Sequence, residues 1–291
     1  MRQTMLAATI ATLTVGFIGN AAAADMPVKA APLAAHSWTG CHVGGNVGWI
    51  ASRDRFDRTP SGTYLAVAGV PSPPNAGGGG LLAGDIALTT HSDTSTSSGI
   101  TAGAQIGCDR QVNNLVYGIE ADFNWSSLNS SISRSYPSVT SVNPLFGIGP
   151  ESDNLTNRLD WFSTVRGRIG IARDRWLVFA TGGLAIGHFK SNTNVSFGTH
   201  PVLLPVLSGA QHIGSGTATR LGLALGGGME YALNNLWSIK AEYLYLNFGS
   251  FTYTSPLVAP AGVAAGYTWT TTVAPREHIV RVGANYNFRT Q

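Results

Sequence analysis

The chain has 291 residues, with 18 basic and 15 acidic side chains and a formal charge of +3. Charged residues make up 11%, against about 25% in ordinary soluble proteins. An apolar share of 44% excludes intrinsic disorder, and three lysines in the whole chain argue against a nucleic-acid-binding patch.

Residues 1–24 read as an export signal. Arg2 supplies a positive start, Met5 to Ile18 an apolar core, and Ala22-Ala23-Ala24 a small-residue cleavage pattern. A buried core helix is the competing reading, but the run of small residues and Pro27 would end it. The core is also shorter than the ~20 residues a spanning helix needs. Residues 25–37 are rich in Ala and Pro and read as a periplasmic linker.

From Trp38 onward the chain reads as eight strands. The first (38–50) and second (98–109) alternate small with apolar residues. In the third, Leu115, Tyr117, Ile119, Ala121, Phe123 and Trp125 share one face, while Glu120, Asp122 and Asn124 share the other. The fourth sets Trp161, Val165 and Ile169 against Asp160, Thr164, Arg166 and Arg168. The fifth covers 176–190. The sixth sets Leu221, Leu223, Leu225 and Met229 against Arg220 and Glu230. The seventh sets Ile239, Ala241, Tyr243 and Tyr245 against Lys240 and Glu242, and the eighth sets Val280, Val282, Tyr286 and Phe288 against Arg281, Asn285 and Asn287. The seventh blurs at Leu244 and Leu246, but most show alternation over ten or so residues, the length a tilted strand needs to cross a bilayer.

The connections alternate in length. Short ones fall at Asp109 to Asn114, Arg173-Asp174-Arg175 and Asn234-Asn235. Long ones fall at 51–97, 126–157, 191–215 and 249–275. A soluble sandwich has no reason to alternate so regularly. An up-and-down barrel does, with short turns on the periplasmic side and long loops outside. The expected fold is therefore all-β: an eight-stranded antiparallel up-and-down transmembrane β-barrel over 38–291. Trp38, Trp176 and Trp237 then fall at periplasmic strand ends, and Trp49, Trp125 and Trp161 at outer ends. With Tyr286 and Phe288 they are expected to form aromatic girdles at the lipid boundary. Trp269 falls in the last loop.

The same parity turns Glu120, Asp122, Asp160, Arg166, Arg168, Arg220, Glu230, Lys240, Glu242, Glu277 and Arg281 inward. Unpaired buried charges cost several kcal/mol each, so they must pair or stay wet. Eight strands leave an interior that side chains just fill. Two readings follow: a salt-bridged plug, or a narrow ion path lined by both signs. A wide diffusion pore needs about 16 strands.

Cys41 and Cys108 are the two cysteines, and no zinc-type spacing accompanies them. Both fall near periplasmic strand ends with outward parity. A bridge in the oxidising periplasm and two separate thiols both remain open. His91, His200 and His212 fall in outer loops with no metal-binding spacing, and no cofactor site is read. Gly77–Gly80 lacks a following Lys-Ser/Thr and is not a phosphate loop. No serine sits in a nucleophile elbow beside His42, His188 or His278, so no catalytic residue is expected.

Several segments also resemble one family. They include Ala-Asp-Met-Pro-Val-Lys after the signal, Trp38-Thr39-Gly40 with Val43-Gly44-Gly45-Asn46-Val47-Gly48, and Tyr117-Gly118-Ile119-Glu120-Ala121-Asp122. Arg166-Gly167-Arg168-Ile169-Gly170, Thr181-Gly182-Gly183-Leu184-Ala185, Lys240-Ala241-Glu242-Tyr243-Leu244-Tyr245 and Val280–Phe288 continue the series. Together they resemble the small outer-membrane β-barrels that include the outer-membrane immunogenic proteins, across all eight strands but not the loops. The resemblance implies a barrel in the outer membrane of a Gram-negative cell, often described as porin-like. It implies roles in envelope integrity, adhesion or immunogenicity, haem binding in some relatives, and no catalytic residues. Outer-membrane lipid, the barrel-assembly machinery and host or environmental surface ligands are the partners it implies. Two departures stand out: Phe288 is followed by Arg289-Thr290-Gln291, and Cys41 replaces a usual aromatic residue.

Overall fold

The computed structural model of the chain describes residues 36–61, 89–140, 146–198, 204–205, 209, 211–258 and 268–288. The export signal, most of the linker, Gly77–Gly80, His200 and the tail 289–291 lie outside the described residues.

Strands dominate. They are β1 (Gly40–Ser61), β2 (His91–Val112), β3 (Leu115–Ser126), β4 (Asn129–Tyr136), β5 (Val139–Thr140), β6 (Phe146–Ile148) and β7 (Glu151–Arg173). There follow β8 (Trp176–Phe197), β9 (Leu204–Pro205), β10 (Gln211–Ala232), β11 (Trp237–Asn247), β12 (Phe251–Pro256), β13 (Thr268–Ala274) and β14 (Arg276–Phe288). Eight of them pair antiparallel in the order β1-β14-β11-β10-β8-β7-β3-β2, and β2 pairs back onto β1. The ring is closed, so every strand at this level has two neighbours and no edge is left unpaired.

Short turns join one end. Asn113 and Asp174 adopt positive φ there, which Asn and Asp tolerate better than most residues. In the third turn Asn234 Oδ1 accepts hydrogen bonds from the backbone of Leu236 and Trp237 at 2.7 and 2.8 Å. The first turn is tighter than the sequence suggests: β2 runs on to Val112, leaving Asn113-Asn114 as the turn.

Strand length is the main correction. The segments 51–61, 91–97, 151–157, 191–197 and 211–215 are strand, not loop. Several strands reach 22 residues, about 70 Å at 3.3 Å per residue, where about ten residues cross a membrane. Others are completed by a second segment: β4 pairs with β7 beyond β3, and β13 pairs with β1 beyond β14. Pro275 separates β13 from β14 because it has no N–H to donate to the ladder.

The polarity of the alternation inverts along these strands. Toward the turn end the outward residues are apolar and exposed, among them Val43, Val47, Trp49, Ile119, Ile169, Leu221 and Val280. Toward the loop end the outward residues are polar, such as Arg53, Arg55, Thr94, Thr96, Asn192 and Thr272, while the inward ones include Phe56, Leu155, Phe189 and Val273. Alternation survives the inversion, so strand geometry continues. Average hydropathy falls, which is why these stretches resemble loops.

Candidate functional site

The barrel interior is the candidate site, and its residues are brought together by register. Direct cross-strand neighbours include Glu120 with Arg166, Glu242 with Arg281, and Glu230 with Lys240. Opposite charges at such positions attract across the ladder. Closure then adds contacts through the lumen. Glu120 accepts from Lys240 Nζ at 2.7 and 2.8 Å and from Arg166 Nη2 at 2.7 Å. Asp122 Oδ2 accepts from Arg166 at 2.9 Å, from Arg281 at 2.7 Å and from Thr164 at 2.9 Å. Glu242 takes Arg281 Nε at 2.9 Å and Arg166 Nη1. Arg168 forks onto both oxygens of Asp109 at 2.7 Å and reaches Glu230 at 3.0 Å. Glu230 also accepts from Ser238 at 2.6 Å and Asn285 at 2.8 Å.

All these charged groups are buried. Each anion faces at least one cation, the condition under which a buried charge is tolerated. Two further members, Asp109 and His42, lie outside the set of interior charges read from the sequence, although His42 reads as a strand histidine near charged groups. Asp109 sits at a position read as the start of a turn. His42 lies between Asp109 and Glu120, at 3.5 and 3.4 Å. Their inward parity, shared with Gln105 and Gly107, was the available signal. Gly107 lies opposite His42, and a Cβ there would sit 2.7 Å from the imidazole.

Three predicted interior charges are not part of this network. Asp160 turns outward because the β7–β8 ladder shifts register between Leu159 and Trp161. A bulge places two successive residues on one face, so Asp160 and Trp161 both point out. Asp160 there pairs with Arg158 at 2.6 Å and Lys190 at 2.7 Å. Arg220 has inward parity but lies beyond the end of β11 and donates to the Ser250 carbonyl instead. Glu277 faces inward and is fully buried, yet neither carboxylate oxygen has a partner among the described residues. Burial and neighbouring Asp54 push its carboxyl well above the usual range. Asp54 is itself pushed up to about 6 by burial, against a hydrogen bond from Asn157 at 2.9 Å.

Of the predicted girdle, Trp49, Trp125, Trp176, Trp237 and Phe288 are exposed on the outer face, and Trp161 and Tyr286 are half-buried there. Trp38 is a correction. It shares the inward parity of His42 and packs with Val116, Ala172, Leu177 and Phe179 across the turn-end mouth. Its backbone N–H bonds Gln111 Oε1 at 2.8 Å. Trp269 is also not in a loop: it is buried on β13, with Arg58 6.0 Å from its ring centroid. Cys41 and Cys108 are directly opposite on β1 and β2 and form a disulfide.

Above the ionic network the lumen is mainly apolar, with Asp54, Asn157 and Glu277 buried among the apolar side chains. Ile50, Phe56, Leu128, Leu155, Phe162, Phe189, Leu244, Leu246, Phe248 and Ile279 pack into one cluster inside the ring. Such packing is what fills the interior of a soluble domain. Nearer the loop end a second ionic group forms around buried Arg58. It contacts Asp153, Glu151 at 3.4 Å and Asp93 at 3.3 Å. His91 stacks on Tyr136 with centroids 3.7 Å apart and reaches Glu151 at 3.1 Å. His212 is buried, and burial lowers its pKa to about 4. A concavity of about 690 Å³ lies on the apolar outer face between Trp176, Tyr231, Ile239 and Ala241, not in the lumen.

A closed antiparallel ring with an apolar outer belt, aromatic edges and paired charges inside defines a transmembrane β-barrel. Comparison with known proteins agrees: the outer membrane protein beta-barrel domain matches residues 20–288, and the chain belongs to that family. It is similar to the 31 kDa outer-membrane immunogenic protein of Brucella melitensis, at 30% identity over 98% of this chain and 100% of that protein. It is also similar to a 22 kDa outer membrane protein of Rhizobium leguminosarum, at 25% identity over 50% of this chain and 52% of that one. Among solved structures, the outer membrane protease OmpT of Escherichia coli aligns at 10% identity with TM-score 0.43, covering 88% of this chain and 99% of that chain. The attachment invasion locus protein Ail of Yersinia pestis aligns at 13% with TM-score 0.30, covering 86% and 99%. The protein is an outer-membrane β-barrel protein. In such barrels the short turns are periplasmic and the longer connections extracellular.

Proposed function

We propose that the protein is a closed surface barrel with a structural and interaction role in the envelope, rather than a porin or an enzyme. One observation carries this reading: the lumen is filled at successive levels along its axis. Trp38 and its neighbours pack at the periplasmic mouth, the Glu120–Arg166–Glu242–Arg281 network fills the membrane level, and the Phe162–Phe248 cluster fills the outer half. Apolar side chains packed across a pore leave ions no hydrated route. Recognition of host or environmental molecules then falls to the long extracellular connections, which fits the word immunogenic in the relatives' names. Assembly is proposed to use the barrel-assembly machinery.

The test is single-channel recording of the purified protein in a planar bilayer. A correctly folded protein that stays silent is the expected result. Discrete, reproducible openings would overturn the reading in favour of a narrow porin with the inner charges as selectivity residues.

A further inference from the structure

The outer face above the apolar belt carries exposed cations at two like-charge cross-strand positions. On β7 and β8, Arg158 lies opposite Lys190. Like charges directly opposite each other destabilise a ladder. Here the register shift supplies the remedy, because it turns Asp160 outward between them.

On β1 and β14 the same arrangement lacks its counter-charge. Ser52 pairs with Glu277, and Arg55 with Ala274, in one continuous register, which sets Arg53 opposite Arg276. Both are exposed and outward. Neither has an ion pair among the described residues, whereas nearby Arg55 is bound to Asp57 at 3.0 Å. Cβ atoms at directly opposite positions are about 5 Å apart. Two guanidiniums at that spacing bracket one tetrahedral oxyanion.

Height selects the anion. Ala51 and His278 occupy the next outward pair toward the membrane, with Tyr245 beside His278, and Trp49 and Val280 the pair after that. Val280 and Trp49 are the last large exposed apolar side chains on these strands before the arginines. The arginines lie four residues beyond Trp49 and Val280, a rise of about 9 Å on a tilted strand, and a headgroup layer is about 5–7 Å deep beyond the hydrocarbon. The Arg53 and Arg276 backbones therefore stand just above the headgroup layer of the outer leaflet, and their long side chains can reach back to its phosphate level, over an aromatic edge formed by Tyr245, His278 and Trp49.

We propose that Arg53 and Arg276 form a binding site for the phosphate of a phosphorylated outer-leaflet lipid, whose acyl chains lie against the apolar belt below. Guanidinium forks match phosphate geometry, and the bound anion replaces the counter-charge that Asp160 provides on the other pair.

The protein is purified from outer membranes and titrated in detergent with bis-phosphorylated lipid A, with bound lipid counted by native mass spectrometry. The Arg53→Gln/Arg276→Gln variant is expected to bind about 30-fold more weakly, roughly fivefold per arginine. Wild-type protein should lose the same affinity for dephosphorylated lipid A, a measurement that does not depend on any variant. Arg158→Gln/Lys190→Gln should bind as wild type. Equal binding by wild type and the arginine variant, or no effect of dephosphorylation, would overturn the site. Displacement by inorganic phosphate or by a sulfated oligosaccharide at lipid-equivalent concentration would overturn the lipid as its occupant.

Discussion

The two halves of this barrel solve the same filling problem in opposite ways. At membrane level the surroundings are lipid, so the outward residues are apolar and the inward positions are free to carry Glu120, Arg166, Glu242 and Arg281. In the outer half the surroundings are water. The outward residues become polar and the interior becomes a packed apolar core around Phe56, Phe162 and Phe189. Strands β1, β2, β7, β8 and β10 run through both halves, with β4 and β13 taking over as neighbours of β7 and β1 in the outer one. Burial is therefore dictated by the solvent outside the wall, and the lumen takes what remains. Where lipid satisfies the hydrophobic residues outside, the interior is held by paired charges. Where water surrounds the wall, the interior must supply the hydrophobic effect itself.

The largest expected effect breaks the lower half. Arg281→Glu places a fourth acid against Asp122, Glu242 and Glu120, which Arg281 now contacts. Breaking a buried ion pair costs about 3–5 kcal/mol, so the urea midpoint of refolding should fall steeply or folding should fail. An unchanged midpoint would mean the charges are not a connected network. Phe162→Ala tests the upper half. Loss of a buried aromatic ring costs about 3–5 kcal/mol, measured in the same titration, and it should not depend on salt.

The third test uses the outer half's exception, the acids at Asp54 and Glu277. Asp54 has a folded pKa of about 6 against an ordinary 3.8. The unfolded chain thus releases this proton first, and stability contributed by the neutral carboxyl is lost as pH rises from about 4 to about 6. Asp54→Asn should remove that slope and stabilise the barrel at neutral pH by up to about 3 kcal/mol. A flat wild-type profile across this window would show that Asp54 is not buried as described. The smallest effect is expected from Cys41→Ser/Cys108→Ser, at about 2 kcal/mol or less, because the strands it joins are already held by a long ladder. Thermal unfolding with and without reductant checks it; only the wild type should respond.

Much of this was legible in the chain. The period-2 patterns of Leu115–Trp125 and Val280–Phe288 placed strands and the faces of Glu120, Asp122 and Arg281, because strand parity needs nothing beyond local geometry. The outer extensions were not legible as strands. Segments such as Arg53–Ser61 and Ser191–Phe197 alternate with inverted polarity and low mean hydropathy, and Ser and Thr are as common in loops as on a watered strand face. Asp160 failed for a different reason: a single extra residue at the register shift reverses parity, and nothing local announces it.

What the sequence determined by itself was the alternation and therefore the wall: how many strands cross, which side of each faces lipid, and which residues carry charge. Only tertiary structure decided the contents of that wall. Whether Arg166 meets Glu242 across the lumen, whether Trp38 closes the mouth, and whether Cys41 joins Cys108 depend on register and closure. These bring together residues tens to more than a hundred positions apart, at distances that no local pattern encodes.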